Sequence, residues 1–460
     1  MNMRKIIIKK IFVAIVVVVS VLQTSAQIDK GNLLIKNATL ITISQGNLSN
    51  TDLLVINGKI KEIGKNIATP KGVEVIDATG LYVMPGIIDA HSHIGLDAIN
   101  EGTNAITPEV NTGDVINPFQ LSIYRALAGG CTISHALHGS ANSIGGQSQT
   151  IKHRYGVFNP LLLKMEGAPR TIKFALGENP TGHGRRDGLL PQSRMGVEFV
   201  IREAFNKAKE YNSKWEAYRK NMAIKGHREA PPAYSLRYEV LGDLLNGKII
   251  LHCHSYRADE INMMLKVCKD FGITKVVFQH VNEGFKVAPE LKAAGAMASV
   301  FSDWWGYKLE VYYSTAYNAA ILVRNGVVTS INSDSPDLIR YLYHEAAKTQ
   351  KYGDLTDDEA LSLITINPAK QLGIDHLVGT LEVGKDADIA IFKNHPLSIY
   401  AMPQYTIVDG IIRFNLAKDP ADMRLMPDPK ETIDVTVFDS SQDQCLQGVD
   451  LGTLLGEREY

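Results

Sequence analysis

The sequence predicts an α/β protein built on a (β/α)8, TIM-like barrel, with a small β-sandwich domain formed by both ends of the mature chain. Eight short apolar runs between residues 85 and 375 are mostly separated by helix-forming stretches. Repeated β-then-α units imply a parallel sheet, and eight of them imply a closed barrel. Segments of β character lie on either side of this region. At 460 residues with 45% hydrophobic residues, the chain can bury a large core.

The first 26 residues predict a secretory signal peptide. A basic segment at 4–10 precedes an apolar run at 11–22 that is short for a membrane span, and small residues at 24–26 offer a cleavage site. An uncleaved anchor helix is the alternative. We therefore expect an exported protein, periplasmic or secreted, with no membrane attachment after cleavage.

Charge and cysteine usage exclude several classes of partner. The formal net charge is −1, so nothing favours nucleic acid or an anionic membrane. Cys131, Cys253, Cys268 and Cys445 are scattered without a zinc-knuckle spacing, which favours buried free thiols. We expect a small-molecule substrate and a homo-oligomer.

The β-sandwich domain is predicted from residues 27–84 and 376–425. Asn57-Gly58 between two apolar strands is a strong hairpin signal, and residues 407–414 form a second hairpin pattern. Residues 426–460 are polar and turn-rich, and we treat them as a C-terminal extension of unknown role.

The barrel strands are predicted from the apolar runs of residues 85–375. Only a short Gly/Ser-rich segment separates the second run from the third. Between 176 and 248 lie a Gly/Arg-rich loop at 182–188 and a helical stretch near 196–221, which together form a lid or a surface embellishment. The predicted strands are Ile87–Ala90, Thr132–Leu137, Gln147–Ile151, Thr171–Leu176, Lys248–His254, Lys275–His280, Ala296–Val300 and Val327–Asn332.

The first barrel strand ends in a His-x-His pair. Because side chains alternate along a strand, His91 and His93 project to the same side. At the C-terminal mouth of a barrel, two imidazoles on one side form half of a metal site.

This segment, PGIIDAHSH at 85–93, resembles the first-strand signature of the amidohydrolase superfamily. GTLEVGKDAD at 379–388 resembles the family's return to its β domain. The resemblance covers about 28 to 415 and looks nearest the imidazolonepropionase and Xaa-Pro or Arg dipeptidase branch, some of it secreted. It implies a metal-dependent hydrolase whose further ligands end strands four, five, six and eight.

Strands five and six offer the next histidines. His254 lies nearer the C-terminal end of strand five than His252, so we prefer His254 as ligand and keep His252 as the alternative. His280 ends strand six. A core histidine satisfied by the backbone is the alternative for each, although three strands ending in histidine weaken it jointly.

Asp334 follows strand eight. Ser335 and Pro336 have the character of a helix N-cap and first helical residue, and Asp334 could itself be only a turn or capping residue. The resemblance implies that Asp334 binds metal and acts as the catalytic general base, taking the proton from metal-bound water.

Strand four places Lys173 in an apolar run, where a charged amine is costly. The resemblance implies a carboxylated lysine that bridges two metals. Lys164 is the second choice, Glu178 would serve a single-metal site, and a lysine reaching solvent is the structural alternative.

Four residues are candidates for substrate binding. His138 precedes a glycine-rich segment after strand two, and Arg257 follows strand five. Trp304 and Trp305 follow strand seven and predict either a pocket wall or an interface.

The resemblance implies hydrolysis of an amide or other C–N bond in a dipeptide, N-acyl amino acid or cyclic amide. Metal-bound hydroxide would attack the carbonyl, with one or two Zn²⁺ as the default and other divalent metals as alternatives. A heterocycle deaminase is the second candidate. A non-catalytic binding protein on the same barrel is the third.

Overall fold

The computed structural model describes residues 28–418. The predicted signal peptide, residues 419–425 of the predicted β domain and the 426–460 extension lie outside this range. Within residues 28–418, no helix combines the length and hydropathy of a membrane span. Cys131, Cys253 and Cys268 are buried and unbridged.

The described chain contains two eight-stranded sheets. The strands are β1 (Leu33–Ile41), β2 (Asn47–Ile56), β3 (Lys59–Gly64), β4 (Glu74–Asp77), β5 (Leu81–Pro85), β6 (Ile87–Ser92), β7 (Cys131–Ala136), β8 (Ile144–Lys152), β9 (Arg170–Ala175), β10 (Ile249–Ser255), β11 (Val276–His280), β12 (Met297–Val300), β13 (Thr329–Ile331), β14 (Ile389–Lys393), β15 (Met402–Val408) and β16 (Ile411–Asn415). The α-helices are α1 (Leu121–Ala128), α2 (Glu178–Asp187), α3 (Arg194–Met222), α4 (Leu236–Leu245), α5 (Ala258–Phe271), α6 (Ala288–Ala293), α7 (Asn318–Arg324), α8 (Leu342–Gly353), α9 (Asp357–Ser362) and α10 (Ile366–Leu372).

The first sheet joins both ends of the described chain. Its order is β16-β15-β14-β5-β1-β2-β3, with β4 paired to β1, and β14 runs antiparallel to β5. Asn57 and Gly58 turn between β2 and β3 with φ of 49° and 70°, the signs that a type I′ turn requires. The predicted hairpin at this position is confirmed.

The second sheet is the barrel, and all eight predicted runs contribute strands to it in chain order, β6 to β13. Bonds from the end of β13 to β6 bring its first and last strands together. Asp334 N donates to the His91 carbonyl at 3.1 Å, and Ser333 Oγ donates to Asp89 Oδ2 at 2.5 Å. The barrel is therefore nearly closed.

The third strand departs from the predicted parallel order. β8 runs antiparallel to both β7 and β9. A parallel connection needs about a dozen residues or more, and only residues 137–143 link β7 to β8. The short Gly/Ser-rich segment therefore forces a reversal, and a strict (β/α)8 repeat is wrong at this position.

The long connection after β9 is helical. The Gly/Arg-rich segment predicted as a loop lies in α2, and that prediction was wrong. Gly184 explains the composition: a Cβ there would lie 1.9 Å from the carbonyl oxygen of Pro191, so glycine permits close packing within a helix. The predicted stretch near 196–221 lies in α3, which buries Val197, Ile201 and Phe205 at helical spacing.

Buried ion pairs connect the two sheets at the end of the barrel where β7 begins. Lys152 Nζ lies 2.9 Å from Asp386 Oδ2, 2.9 Å from Asp388 Oδ2 and 2.8 Å from Asp409 Oδ1. Arg154 Nε lies 2.7 Å from Asp409 Oδ2. We call these five residues the base cluster, because β8 carries Lys152 to the N-terminal ends of its neighbours.

Candidate metal centre

The first-strand histidines direct their Nε2 atoms at one carboxylate. The rings of His91 and His93 make a T-shaped contact, with their centroids 5.4 Å apart. His93 Nδ1 lies 2.9 Å from the Leu137 carbonyl oxygen, which leaves Nε2 free to face the site. His91 Nε2 and His93 Nε2 lie 3.4 and 3.2 Å from Asp334 Oδ1.

His280, the last residue of β11, also faces the Asp334 carboxylate. Its Nε2 lies 3.8 Å from Asp334 Oδ2, and its ring centroid lies 4.5 Å from that of His91. Both ring nitrogens are buried and lack a hydrogen-bond partner among the described residues. His280 has φ of 68°, a backbone strain that costs about 1–3 kcal/mol and that turns the strand end into the site.

His254 lies in the same layer as His280. Their ring centroids are 4.6 Å apart, and Ser140 Oγ lies 3.0 Å from His254 Nδ1, while His254 Nε2 is buried without a hydrogen-bond partner in the described chain. His252 lies one layer deeper, with its ring 4.4 Å from that of His135. The structure therefore brings His254, the preferred residue of the two, to the other histidines.

Asp334 enters the site from the end of β13. The backbone there has φ of 45°, and the backbone nitrogen is tied to β6 by the bond to the His91 carbonyl. Ser335 Oγ accepts from the N–H groups of Asp337 and Leu338 at 3.2 and 3.3 Å, so the capping role falls to Ser335. The Asp334 carboxylate is thereby left to face the histidines.

Lys173 lies inside the barrel and is fully buried. Its Nζ lies 3.2 Å from His91 Nε2. Lys164, the second choice from sequence, is 29% exposed and lies 3.8 Å from Asp114. Glu178 begins α2 and lies 3.4 Å from Lys308. Of the three, only Lys173 contacts a histidine of the site.

We call His91, His93, Lys173, His254, His280 and Asp334 the mouth cluster. Burial lowers the pKa of His91, His254 and His280 well below 6.5. These imidazoles are therefore neutral at pH 7 and carry lone pairs, the state that binds a metal. His91, His280 and Asp334 each offer a ligand atom within 4.8 Å of the others.

The donor set fits a divalent metal ion. Two ring nitrogens of His280 and one of His254 are buried without hydrogen bonds to any residue that the structure describes, which is costly for polar atoms unless a ligand satisfies them. Neutral imidazoles with a carboxylate are typical zinc ligands, although they also suit other divalent metals.

Sequence reasoning missed several supporting residues. Asp89 accepts from the backbone of His91 at 3.0 Å, and burial raises its pKa to about 7. Gln279 lies between His91 and His252, and Ser140 contacts His254. Strand alternation predicts that Gln279 faces away from the side of His280, so the pattern gave no signal for it. Asp89 was visible within the first-strand motif.

The candidate substrate residues lie in different surroundings. Trp304 stacks on Phe301 at 4.5 Å, and Phe301 stacks on His280 at 4.9 Å, so Trp304 belongs to a wall of the site. Trp305 lines the same small cavity and is 54% exposed. In His138, both ring nitrogens are held by backbone atoms, Glu101 N at 3.0 Å and Gly139 O at 3.1 Å.

A cleft of about 590 Å³ opens beside this wall. Its lining comes from segments that follow β9, β10, β11 and β12, so it lies at the C-terminal face of the barrel, where such folds bind substrates. Arg257 lines it, and its guanidinium pairs with Asp259 at 2.9 Å. Arg194 crosses the cleft to Glu260 and Glu310, both at 2.5 Å.

Comparison with known proteins agrees with this arrangement. Residues 201–416 match the model of the amidohydrolase family. A solved amidohydrolase from Thermotoga maritima MSB8 is 33% identical and superposes with a TM-score of 0.77, covering 83% of this chain and all of that one. The chain belongs to the amidohydrolase family.

Two curated relatives extend the comparison of this amidohydrolase. Amidohydrolase tasK of Hapsidospora irregularis is 30% identical over 393 residues, which are 79% of this chain and 40% of that protein. The chain thus spans less than half of that relative's length. A dihydroorotase of Ruminiclostridium cellulolyticum is 23% identical over 439 residues, covering 82% of this chain and 97% of the relative.

Proposed function

We propose that this amidohydrolase is a metal-dependent hydrolase that cleaves an amide or other C–N bond in a dipeptide, an N-acyl amino acid or a cyclic amide. The observation that carries the proposal is His280, a buried imidazole whose two nitrogens lack hydrogen-bond partners within residues 28–418, beside the Asp334 carboxylate and three further histidines. The likeness to a dihydroorotase over most of both chains supports a cyclic amide among the candidates.

The mouth cluster supplies the chemistry. His91, His93, His254, His280 and Asp334 would hold one or two Zn²⁺ ions. A bound metal polarises the substrate carbonyl and makes water acidic enough to ionise near neutral pH. Asp334 accepts the proton of the attacking water at a carboxylate oxygen and then delivers it to the leaving nitrogen.

Lys173 would complete a two-metal site as a carbamate. Burial favours its neutral amine, which attacks carbon dioxide. A C–N bond forms, one proton leaves, and the product is an anion with two oxygen ligands. The wall of Tyr256, Phe301 and Trp304 excludes water from this side and strengthens the electrostatic interactions of the site.

Metal analysis and a substrate screen test the proposal together. Residues 27–460 are purified, loaded with Zn²⁺ and assayed against dipeptides, N-acyl amino acids and cyclic amides. About two metals per chain with turnover of one class is the expected result. About one metal would favour a single-metal, deaminase-like site, and no bound metal would contradict the proposal.

Export is a separate proposal that rests on residues 1–26 alone. The expected outcome in a bacterial host with a Sec pathway is a protein outside the cytoplasm that begins at Gln27. N-terminal sequencing checks the cleavage site, and an intact Met1 in the membrane fraction would contradict it.

A further inference from the structure

Gln279 connects two histidines of different layers inside the barrel. It is fully buried on β11. Its Oε1 lies 2.9 Å from His91 Nδ1, and its Nε2 lies 2.9 Å from His252 Nδ1. One side chain thus contacts a residue of the mouth cluster and the histidine beneath it.

The chemistry of the amide gives these contacts a direction. The amide oxygen can only accept a hydrogen bond, and the amide nitrogen can only donate. His91 Nδ1 must therefore carry the hydrogen, and His252 Nδ1 must present a lone pair. With its hydrogen on Nδ1, His91 is left with a lone pair on Nε2, the atom that faces Asp334 Oδ1 at 3.4 Å.

His252 lies at the other end of the Gln279 amide, where its Nδ1 is the partner of the amide nitrogen at 2.9 Å. If the Gln279 amide were turned over, its nitrogen would donate to His91 Nδ1 and place the hydrogen on Nε2, where it would block metal binding. His252 is fully buried, and a lone pair on its Nδ1 can accept the hydrogen of the Gln279 amide. Its Nε2 has no hydrogen-bond partner among the described residues, so nothing there competes for the tautomer.

We propose that Gln279 is a positioning residue that fixes the metal-binding tautomer of His91, and that His252 holds the Gln279 amide in the required orientation. This inference rests on the proposed metal site. It assigns His252, the alternative ligand of strand five, a role one layer below the metal.

The test measures metal affinity as well as activity. In Gln279→Met, the dissociation constant for Zn²⁺, measured by chelator competition, should rise roughly 10–100-fold, the usual effect of removing such a partner of a metal ligand. Gln279→Glu keeps an acceptor for His91 Nδ1–H and should recover most of the affinity. The absorption spectrum of the Co²⁺-loaded protein should change in Gln279→Met and return in Gln279→Glu.

Gln371 provides the matched control. It is a fully buried glutamine whose amide also makes two strong bonds, to Ser330 Oγ at 2.7 Å and the Ala298 carbonyl at 2.9 Å, but it lies on α10 outside the barrel. Gln371→Met should lower the melting temperature about as much as Gln279→Met and leave Zn²⁺ affinity unchanged. Equal affinity losses in both variants would overturn the proposal.

A second pair of variants serves if Gln279→Met does not fold. His252→Asn retains an acceptor near the position of Nδ1, whereas His252→Phe removes it. Zn²⁺ affinity should stay near wild type in the first and fall in the second, and equal affinities would overturn the proposal. Wild-type protein that binds no Zn²⁺ would instead refute the metal site itself, so the two failures are distinguishable.

Discussion

The barrel buries two polar clusters, one at each end, and they are built in opposite ways. In the base cluster, Lys152 faces three carboxylates at 2.8–2.9 Å, and Arg154 adds Asp409 at 2.7 Å. In the mouth cluster, the polar atoms approach to 3.2–3.8 Å, and His280 has no hydrogen bond at all in the described chain. Every charged group of the base cluster has an oppositely charged partner within 2.9 Å, whereas none of these contacts between members of the mouth cluster is that short.

This difference separates stabilising groups from functional ones. A buried charge is tolerated when partners replace its lost hydration, so the ion pairs of the base cluster tie the two sheets together. In the mouth cluster, buried polar atoms lose their hydration without gaining partners as close as those of the base cluster. This is expected where a ligand supplies the missing bonds. Burial alone would not have distinguished them.

Lys173 gives the largest expected effect on the mouth cluster. Lys173→Ala should lose at least one metal and nearly all turnover, because the variant cannot form the proposed bridging carbamate. Acetate or propionate should restore part of both by occupying the vacated space. Lys164→Ala, which removes a partly exposed lysine paired with Asp114, should retain metal and activity. Full metal content and activity in Lys173→Ala would make this lysine structural.

Asp334→Asn should retain most of the metal and lose about 10²–10⁴-fold in kcat, because an amide cannot accept the proton. Steady-state kinetics with metal analysis of the same sample measures both. Asp337→Asn is the control: Asp337 lies three residues further along, is 61% exposed and pairs with Arg340. Near-normal kcat in Asp334→Asn would assign the general base elsewhere.

The two clusters should respond oppositely when one member becomes apolar. Lys152→Met leaves buried carboxylates without their cation, so the free energy of unfolding should fall by about 3–5 kcal/mol. His280→Phe removes an imidazole without partners, so in metal-free protein it should change that free energy by less than about 1 kcal/mol while metal binding is lost. Urea unfolding without metal measures both. Similar losses in the two variants would refute the comparison.

The pH dependence of stability gives the smallest effect. Burial lowers the pKa of His135 to about 3 and of His138 and His153 to about 4, so the unfolded chain binds protons first as pH falls below 6.5. Metal-free protein should therefore lose stability between about pH 6.5 and 4.

Acidic groups modify this window only in part. Asp388 and Asp89, with pKa values raised to about 6 and 7, take up protons in the folded state and offset some of the loss. The pKa of Asp409 is below 3.8, because Lys152 and Arg154 outweigh its burial, so its contribution is lost only at lower pH. Melting temperatures at pH 7.5, 6.5 and 5.5 should decline, less steeply in His153→Gln. A rise on acidification would contradict the prediction.

Local pattern predicted the strands but not how they pair. The eight apolar runs all became barrel strands, because a buried parallel or antiparallel strand has the same composition. The direction of β8 depends on the short link between β7 and β8. This short link was visible in the sequence, but the repeated β-then-α pattern favoured a parallel strand. Helix α2 was not predicted because its glycines suggested a loop, whereas Gly184 permits the helix to pack closely against Pro191.

The candidate site was predictable where a residue ends a strand. His91, His93 and His280 stood out by position, and the structure brings them to Asp334. Gln279 could not be predicted, because the positive φ of His280 breaks the alternation that sequence reasoning assumes. His254 was preferred over His252 because it lies nearer the end of strand five, and in the structure its ring lies 4.6 Å from that of His280, whereas the His252 ring lies beside His135.

The pairing of β5 with β14 has a consequence for the order of events during synthesis. Pro85 meets Ile389 roughly 300 positions later in the chain, and Lys152 waits for Asp386, Asp388 and Asp409. At about 5–20 residues per second, a ribosome needs about 15–60 s to deliver these partners. Throughout that interval, β5 is an open edge, and Lys152 has none of its three carboxylates. A nascent chain stalled before residue 386 should therefore be a strong client for chaperones, although every barrel strand has already been made.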